Sequence, residues 1–230
     1  MTMRSALVRA GVAILAVVAV VLTTLVVSRE LTSRDANPAE SMSGPYRVSV
    51  IGDSFSSGLG AAVNWPTLFA QGSEFAVTNV AVAGAGYVGG KGESSSFSDQ
   101  IGNALAAKPN LVVVFGGIND VGKPSDLVGQ MASDLFTQIT QLAPDARLLV
   151  LGPIWHTDPP PAVGIELSKS IQAPANALNI PFMSLIDERW LVGDGKVQAD
   201  GVHPTDAGQR ALAVHLGPII RQAARAEANR

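Results

Sequence analysis

Five short apolar runs, Tyr46–Ile51, Phe75–Ala81, Leu111–Phe115, Ala146–Leu151 and Pro181–Leu185, are separated by segments of helical periodicity. The helical segments are Asp99–Ala107, Ser125–Leu142, Gly164–Leu178 and Thr205 to about Ala226. In Ser125–Leu142, Leu127, Met131, Leu135, Ile139 and Leu142 fall at spacings of four, four, four and three, one stripe of an amphipathic helix. Pro181 opens the last run, the poorest strand signal of the five. Pro218 predicts that the final helix kinks or restarts there. Strands that alternate with helices in this way pair through crossovers, which gives the α/β class: a parallel sheet covered on both faces. Ligand sites in such sheets lie beyond the carboxyl ends of the strands. The residues that follow each run are therefore the ones to read for chemistry.

The first run leads into Gly52-Asp53-Ser54-Phe55-Ser56. A serine hydroxyl barely ionises at neutral pH and needs a base within hydrogen-bond reach to attack. Ser54 taken alone is equally an N-cap that opens a helix. Near the far end, Asp200-Gly201-Val202-His203 supplies an acid and an imidazole three residues apart. In a loop that spacing lets the carboxylate fold back onto the imidazole, fix its tautomer and stabilise its cation. Ser54, Asp200 and His203 thus form a candidate triad. His215 falls within a helical pattern, as a surface or boundary residue. His156 follows the fourth run, but its acidic neighbour Asp158 leads into three prolines.

Two further runs end in candidate oxyanion donors. Gly84 closes Asn79-Val80-Ala81-Val82-Ala83-Gly84 and offers a backbone N–H; Asn119, in Gly116-Gly117-Ile118-Asn119-Asp120, offers a side-chain amide. Ser54 would add its own N–H. Preorganised donors at the carbonyl oxygen supply the largest single catalytic contribution to acyl transfer. Singly, Gly84 reads as a turn glycine and Asn119 as an Asx-turn; their joint occurrence at successive strand ends favours the functional reading. Gly84-Ala85-Gly86-Tyr87-Val88-Gly89 also matches a dinucleotide fingerprint. That motif requires a helix immediately after it and an acid about 20 residues on, whereas loop residues follow here and 104–108 contain no acid. No histidine pair has metal-ligand spacing, and no carboxylate cluster surrounds His203. Position 56 is serine, so the glycine-flanked elbow of α/β-hydrolases is absent.

Together, Gly52-Asp53-Ser54, Asn79 with Gly84, Gly117-Ile118-Asn119-Asp120 and Asp200 through His203 resemble, in this order, the SGNH hydrolases of the GDSL esterase/lipase superfamily. The likeness runs from 46 to about 216. Phe55 stands where leucine is usual, and Ala85-Gly86 where the family often has Asp-Thr. The resemblance implies a three-layer, flavodoxin-like α/β/α fold on a mainly parallel five-stranded sheet. It also implies a serine nucleophile, no cofactor, and ester hydrolysis through an acyl-enzyme on a small-molecule or cell-envelope ester. Two alternatives stay open: an acyltransferase using the same triad on a cell-envelope acceptor, and a catalytically silent, membrane-tethered binding module.

The N-terminus speaks to location. Arg4 and Arg9 precede Ala10–Val27, 18 residues without a charge. That length reaches what a membrane-crossing helix needs and exceeds the apolar part of most signal peptides. No small-x-small cleavage site follows. Two arginines ahead of the span, against mixed charges behind it, predict an N-terminus inside and a body outside. Residues 1–27 are read as a signal anchor, with a cleaved signal peptide and secretion as the alternative. Residues 28–44 read as a polar linker and 45–230 as the hydrolase domain. The absence of cysteine removes disulfides and thiol chemistry, and a formal charge of −3 without a basic block in the body argues against nucleic-acid partners.

Overall fold

The computed structural model describes residues 44–89 and 96–226. The expected membrane segment, and the expected linker apart from Gly44, lie outside the described residues. Among the described residues no helix is long and apolar enough to cross a membrane.

Strands β1 (Tyr46–Gly52), β2 (Phe75–Asn79), β3 (Leu111–Phe115), β4 (Arg147–Leu151) and β5 (Phe182–Met183) form one sheet in the order β2-β1-β3-β4-β5. Every pairing is parallel. The helices among the described residues are α1 (Ser54–Ser57), α2 (Trp65–Ala70), α3 (Ile101–Ala106), α4 (Ser125–Leu142), α5 (Ala162–Ala177) and α6 (Asp206–Arg225). Single 3-10 turns cover Ser98–Gln100 and Ile118–Asp120.

Side-chain alternation along the strands sorts the core into two layers. Val48, Val50, Leu111, Val113, Phe115, Leu149 and Leu151 face α2 and α6, where they meet Trp65, Phe69, Leu212, Leu216 and Ile220. Ile51, Val112, Val114, Leu148 and Val150 face the other way, onto Ile101 of α3, Leu135 and Ile139 of α4 and Ile171 of α5. Because both faces are covered, β3 reads as an unbroken apolar run, Leu111-Val112-Val113-Val114-Phe115. Burial of each large aliphatic side chain here contributes about 1.5–3 kcal/mol.

The register fixes where the loops emerge. Gly52 pairs with Phe115, so Asp53 and Ser54 leave β1 level with Gly116 and Gly117 leaving β3. Pairing of the β2 side continues past the strand through the Val80 N–H to the Val50 carbonyl (3.0 Å) and the Val82 N–H to the Gly52 carbonyl (3.1 Å). In this strand order the chain turns in opposite directions from β1 and β3, which leaves a crevice between their carboxyl ends.

Two expectations are modified. Pro218 sits within an uninterrupted α6. A proline removes the N–H that would bond the carbonyl four residues back; here that is Val214, 68% exposed, so solvent can serve its carbonyl. The strand expected at Pro181–Leu185 shrinks to two residues. Pro181 still takes part, but only as an acceptor, its carbonyl receiving the Val150 N–H at 3.0 Å. Helices α1 and α2 carried no periodic signal, being four and six residues long.

Candidate active site

Ser54 opens α1 at the end of β1. Asp53 is the N-cap, its Oδ1 accepting the Phe55 N–H at 2.9 Å. As first helical residue, Ser54 has an N–H with no intrahelical acceptor. Its hydroxyl makes no hydrogen bond among the described residues, and the residue is nearly enclosed, at 2% exposure. Four buried polar side chains hold this turn. Gln100 caps the end of β1, accepting the Gly52 N–H and donating to the Gly52 carbonyl, both at 2.9 Å. Ser56 Oγ accepts the Trp65 indole N–H at 3.1 Å. Gln209 of α6 accepts the Trp65 backbone N–H at 2.9 Å and donates to the Phe55 carbonyl at 3.1 Å. Asp53 Oδ2 accepts the Gly117 N–H at 3.2 Å, which ties the ends of β1 and β3 together. A Cβ on Gly116, whose φ is +140°, would collide with that carboxylate, so only glycine lets the strands close on it. Burial pushes the Asp53 carboxyl up to about 6, against the pull of the Phe55 and Gly117 N–H groups.

The two flanking segments are themselves joined. Asn119 donates one amide hydrogen to the Ala85 carbonyl at 2.8 Å, leaving its second hydrogen unspent. The Gly84 N–H makes no hydrogen bond among the described residues. Asp120, 1% exposed, accepts the Tyr87 N–H at 2.8 Å and the Val88 N–H at 2.9 Å. Burial raises its carboxyl, and those two N–H groups oppose the rise. Asn79 Nδ2 donates to the Ser56 carbonyl at 2.8 Å and its Oδ1 accepts the Ala81 N–H at 3.2 Å, so it links the Ser54 turn to the segment that leads to Gly84.

His203 and Asp200 meet as the spacing suggested. Asp200 Oδ2 lies 2.6 Å from His203 Nδ1, while Oδ1 accepts the Val202 N–H at 2.9 Å and the His203 N–H at 3.0 Å. The His203 hydrogen bond, helped by those N–H groups, holds the Asp200 carboxyl down at about 2. The His203 ring stands 6.5 Å edge-on from the ring of Phe55, next to Ser54, and its charge is felt at the Asp53 carboxylate. No hydrogen bond joins Ser54 Oγ to the imidazole; nucleophile–base bonds of this kind commonly tighten as substrate binds. His156 and His215 lie apart from this arrangement, His215 stacking on Trp190 at 4.7 Å.

The model of the GDSL-like lipase/acylhydrolase family matches residues 50–211. The chain belongs to this family. It is a carboxylic ester hydrolase. It is 34% identical over 186 residues, 75% of this chain and 80% of the relative, to the GDSL lipase Rv0518 of Mycobacterium tuberculosis. In fold it is similar to the psychrotrophic esterase EstA from Pseudoalteromonas sp. (TM-score 0.63, 17% identity, covering 77% of this chain and 97% of that one). It is likewise similar to the lipase/acylhydrolase from Enterococcus faecalis (TM-score 0.60, 20% identity, 76% and 95%). At such identities those two likenesses concern the fold alone.

In this GDSL-like hydrolase Ser54 opens α1 directly after β1, Gly84 lies in the loop after β2, Asn119 in the 3-10 turn after β3, and Asp200 and His203 in the loop between β5 and α6. Among the described residues no group of three or more His, Asp or Glu side chains is placed to hold a metal ion. Sequence reading missed Asp53, Gln100, Gln209 and Asp120 as supports. Gln100 and Gln209 gave no signal, because a glutamine in a helical pattern reads as a solvated residue. Asp53 and Asp120 sit inside the motifs, yet Gly117, Tyr87 and Val88, whose N–H groups they accept, belong to segments distant in the sequence.

Proposed function

We propose that Ser54 is the nucleophile of this ester hydrolase, His203 its general base and Asp200 the carboxylate that orients the imidazole. Ser54 Oγ attacks the ester carbonyl carbon, a C–O bond forms, and His203 takes the serine proton. The carbonyl electron pair moves to oxygen, facing the Gly84 N–H, the free Asn119 amide hydrogen and the Ser54 N–H. The tetrahedral adduct collapses, the C–O bond to the alcohol breaks, and His203 returns its proton to the departing oxygen. Water then repeats the sequence on the acyl-enzyme, releasing the carboxylic acid and restoring Ser54.

What supports this reading is that Gly84 and Asn119 follow β2 and β3, the strands on either side of the one that leads to Ser54, each with an N–H that has no partner among the described residues. The substrate is a carboxylic ester of a lipid or carbohydrate. Export, supported by Ala10–Val27 in the sequence, is part of the same proposal and is tested by membrane fractionation of the full-length chain. For the chemistry, Ser54→Ala is expected to abolish turnover of a short acyl nitrophenyl ester, with the unfolding transition retained. Turnover persisting in that variant would remove Ser54 from the mechanism.

A further inference from the structure

The imidazole-bearing loop is tied to the nucleophile's side of the molecule by side chains that belong to none of the four motifs. Gln198 Nε2 donates to the Leu59 carbonyl at 2.8 Å and to the Pro204 carbonyl at 2.9 Å. Its backbone N–H donates to the His203 carbonyl at 2.8 Å. One residue therefore reaches the turn after α1 and the successive carbonyls of His203 and Pro204. Leu59 is itself linked back to the nucleophile, its N–H bonding the Ser54 carbonyl at 3.2 Å. The path from the nucleophile to the base thus runs Ser54, Leu59, Gln198, His203, across a sequence separation of 139 residues at its one long-range step.

A second observation, independent of the hydrogen bonds, points the same way. Gly60, at φ +75°, lies so close to the Gln198 amide that a Cβ there would collide with it. The chain has given up a side chain at Gly60 where the amide docks, and a positive φ admits few other residues. The hydrogen bonds of the Asp200 side chain are all internal to 200–203; three residues beyond His203, Asp206 Oδ1 accepts the Ala62 N–H at 2.7 Å and adds a second tie to the same side.

We infer that Gln198 is a positioning residue, which sets the separation of Ser54 and His203 by bracing the His203 loop against the turn that leaves the nucleophile. This rests on the reading of Ser54 and His203 given above. Proton transfer between them is sensitive to that distance, and a misplacement of about 1 Å costs on the order of a hundredfold in rate. Gln198 touches neither substrate nor the reacting atoms. Its contacts are with the backbone of a half-exposed loop, so its loss affects reaction rate before it affects folding.

The test is fluorophosphonate labelling of the purified protein, which reports a rate and, at its end point, the number of competent sites. Wild type is expected to label at Ser54, with Ser54→Ala as the blank. Gln198→Met keeps the length of the side chain and removes its donors. It is expected to reach the same end point about ten- to a hundredfold more slowly, with kcat for a nitrophenyl ester lowered in step and KM little changed. Gly60→Ala, which displaces the amide without altering it, is expected to show the same pattern. Wild-type labelling rates in Gln198→Met would overturn the inference and leave the triad standing. A reduced end point with an unchanged rate per site would also overturn it, since that is the signature of lost folding. Failure of wild type to label would instead remove the underlying reading, and the inference with it.

Discussion

The nucleophile turn and the acid–base loop do complementary work with opposite physical means. Around Ser54 the supports are buried and draw on several elements: Asp53, Ser56 and Gln209 are 0% exposed, and their partners lie just past β3, on α2 and on α1. The Asp200 and His203 side chains are 46% and 22% exposed, and the pair is assembled from four consecutive residues. Buried hydrogen bonds cannot be exchanged for water, so breaking one leaves a desolvated group unpaired; exposed ones can. The first region is therefore an outcome of the whole fold, while the second is a local structure set down on it. Damage to the one should appear as lost stability, damage to the other as lost rate.

Substitutions on either side test that separation. The largest effect is expected for Asp200→Asn, which leaves the loop's shape but withdraws the charge that orients the imidazole. Its kcat should fall by about a thousandfold or more, with the unfolding midpoint almost unmoved; a large loss of stability would erase the distinction. Next is Gln209→Leu, which strands the Trp65 N–H and the Phe55 carbonyl in the core. It should cost about 4 kcal/mol in urea denaturation, at 1–3 kcal/mol for each orphaned group, and activity should track the folded fraction. Unchanged stability would show that the turn does not need its clamp.

The smallest effect belongs to Asp53 and is read through pH. Below about 3.8 its carboxyl is protonated in folded and unfolded chains alike, so burial costs nothing. Between there and about 6 only the folded chain keeps the proton. Stability from this group is therefore highest in acid and falls as pH rises through that window, by at most about 3 kcal/mol. Asp53→Asn should lack this fall. If its stability follows pH with the wild-type slope, the buried charge has been assigned to the wrong residue.

Much of the layout was legible because its signals are local. β3 and α4 coincide with the runs read from the sequence, since a doubly covered strand is continuously apolar and an amphipathic helix carries its stripe. The Asp200–His203 contact was legible for the same reason: three residues of separation are enough to specify it. What was not legible depends on partners distant in the chain. Gln198, Gln100 and Gln209 act only once the sheet has brought Leu59, Gly52 and Phe55 to them. Trp65 is fully buried, and its indole N–H also reaches Ser56 across the core. Pro218 misled because the rule that proline breaks helices presumes a carbonyl without an alternative partner, whereas Val214 stands in solvent.

One bond at the crevice has a wider consequence. Because Asn119 grips the carbonyl of Ala85, the neighbour of Gly84, the two proposed donors are rungs of one ladder and cannot drift separately. An ester whose carbonyl fits only one of them cannot recruit the other by a small adjustment, since shifting either rung carries its twin along. If Gly84 and Asn119 are the donors proposed, selectivity for the shape of the reacting carbonyl is set by the scaffold itself, whatever chain or sugar hangs from it.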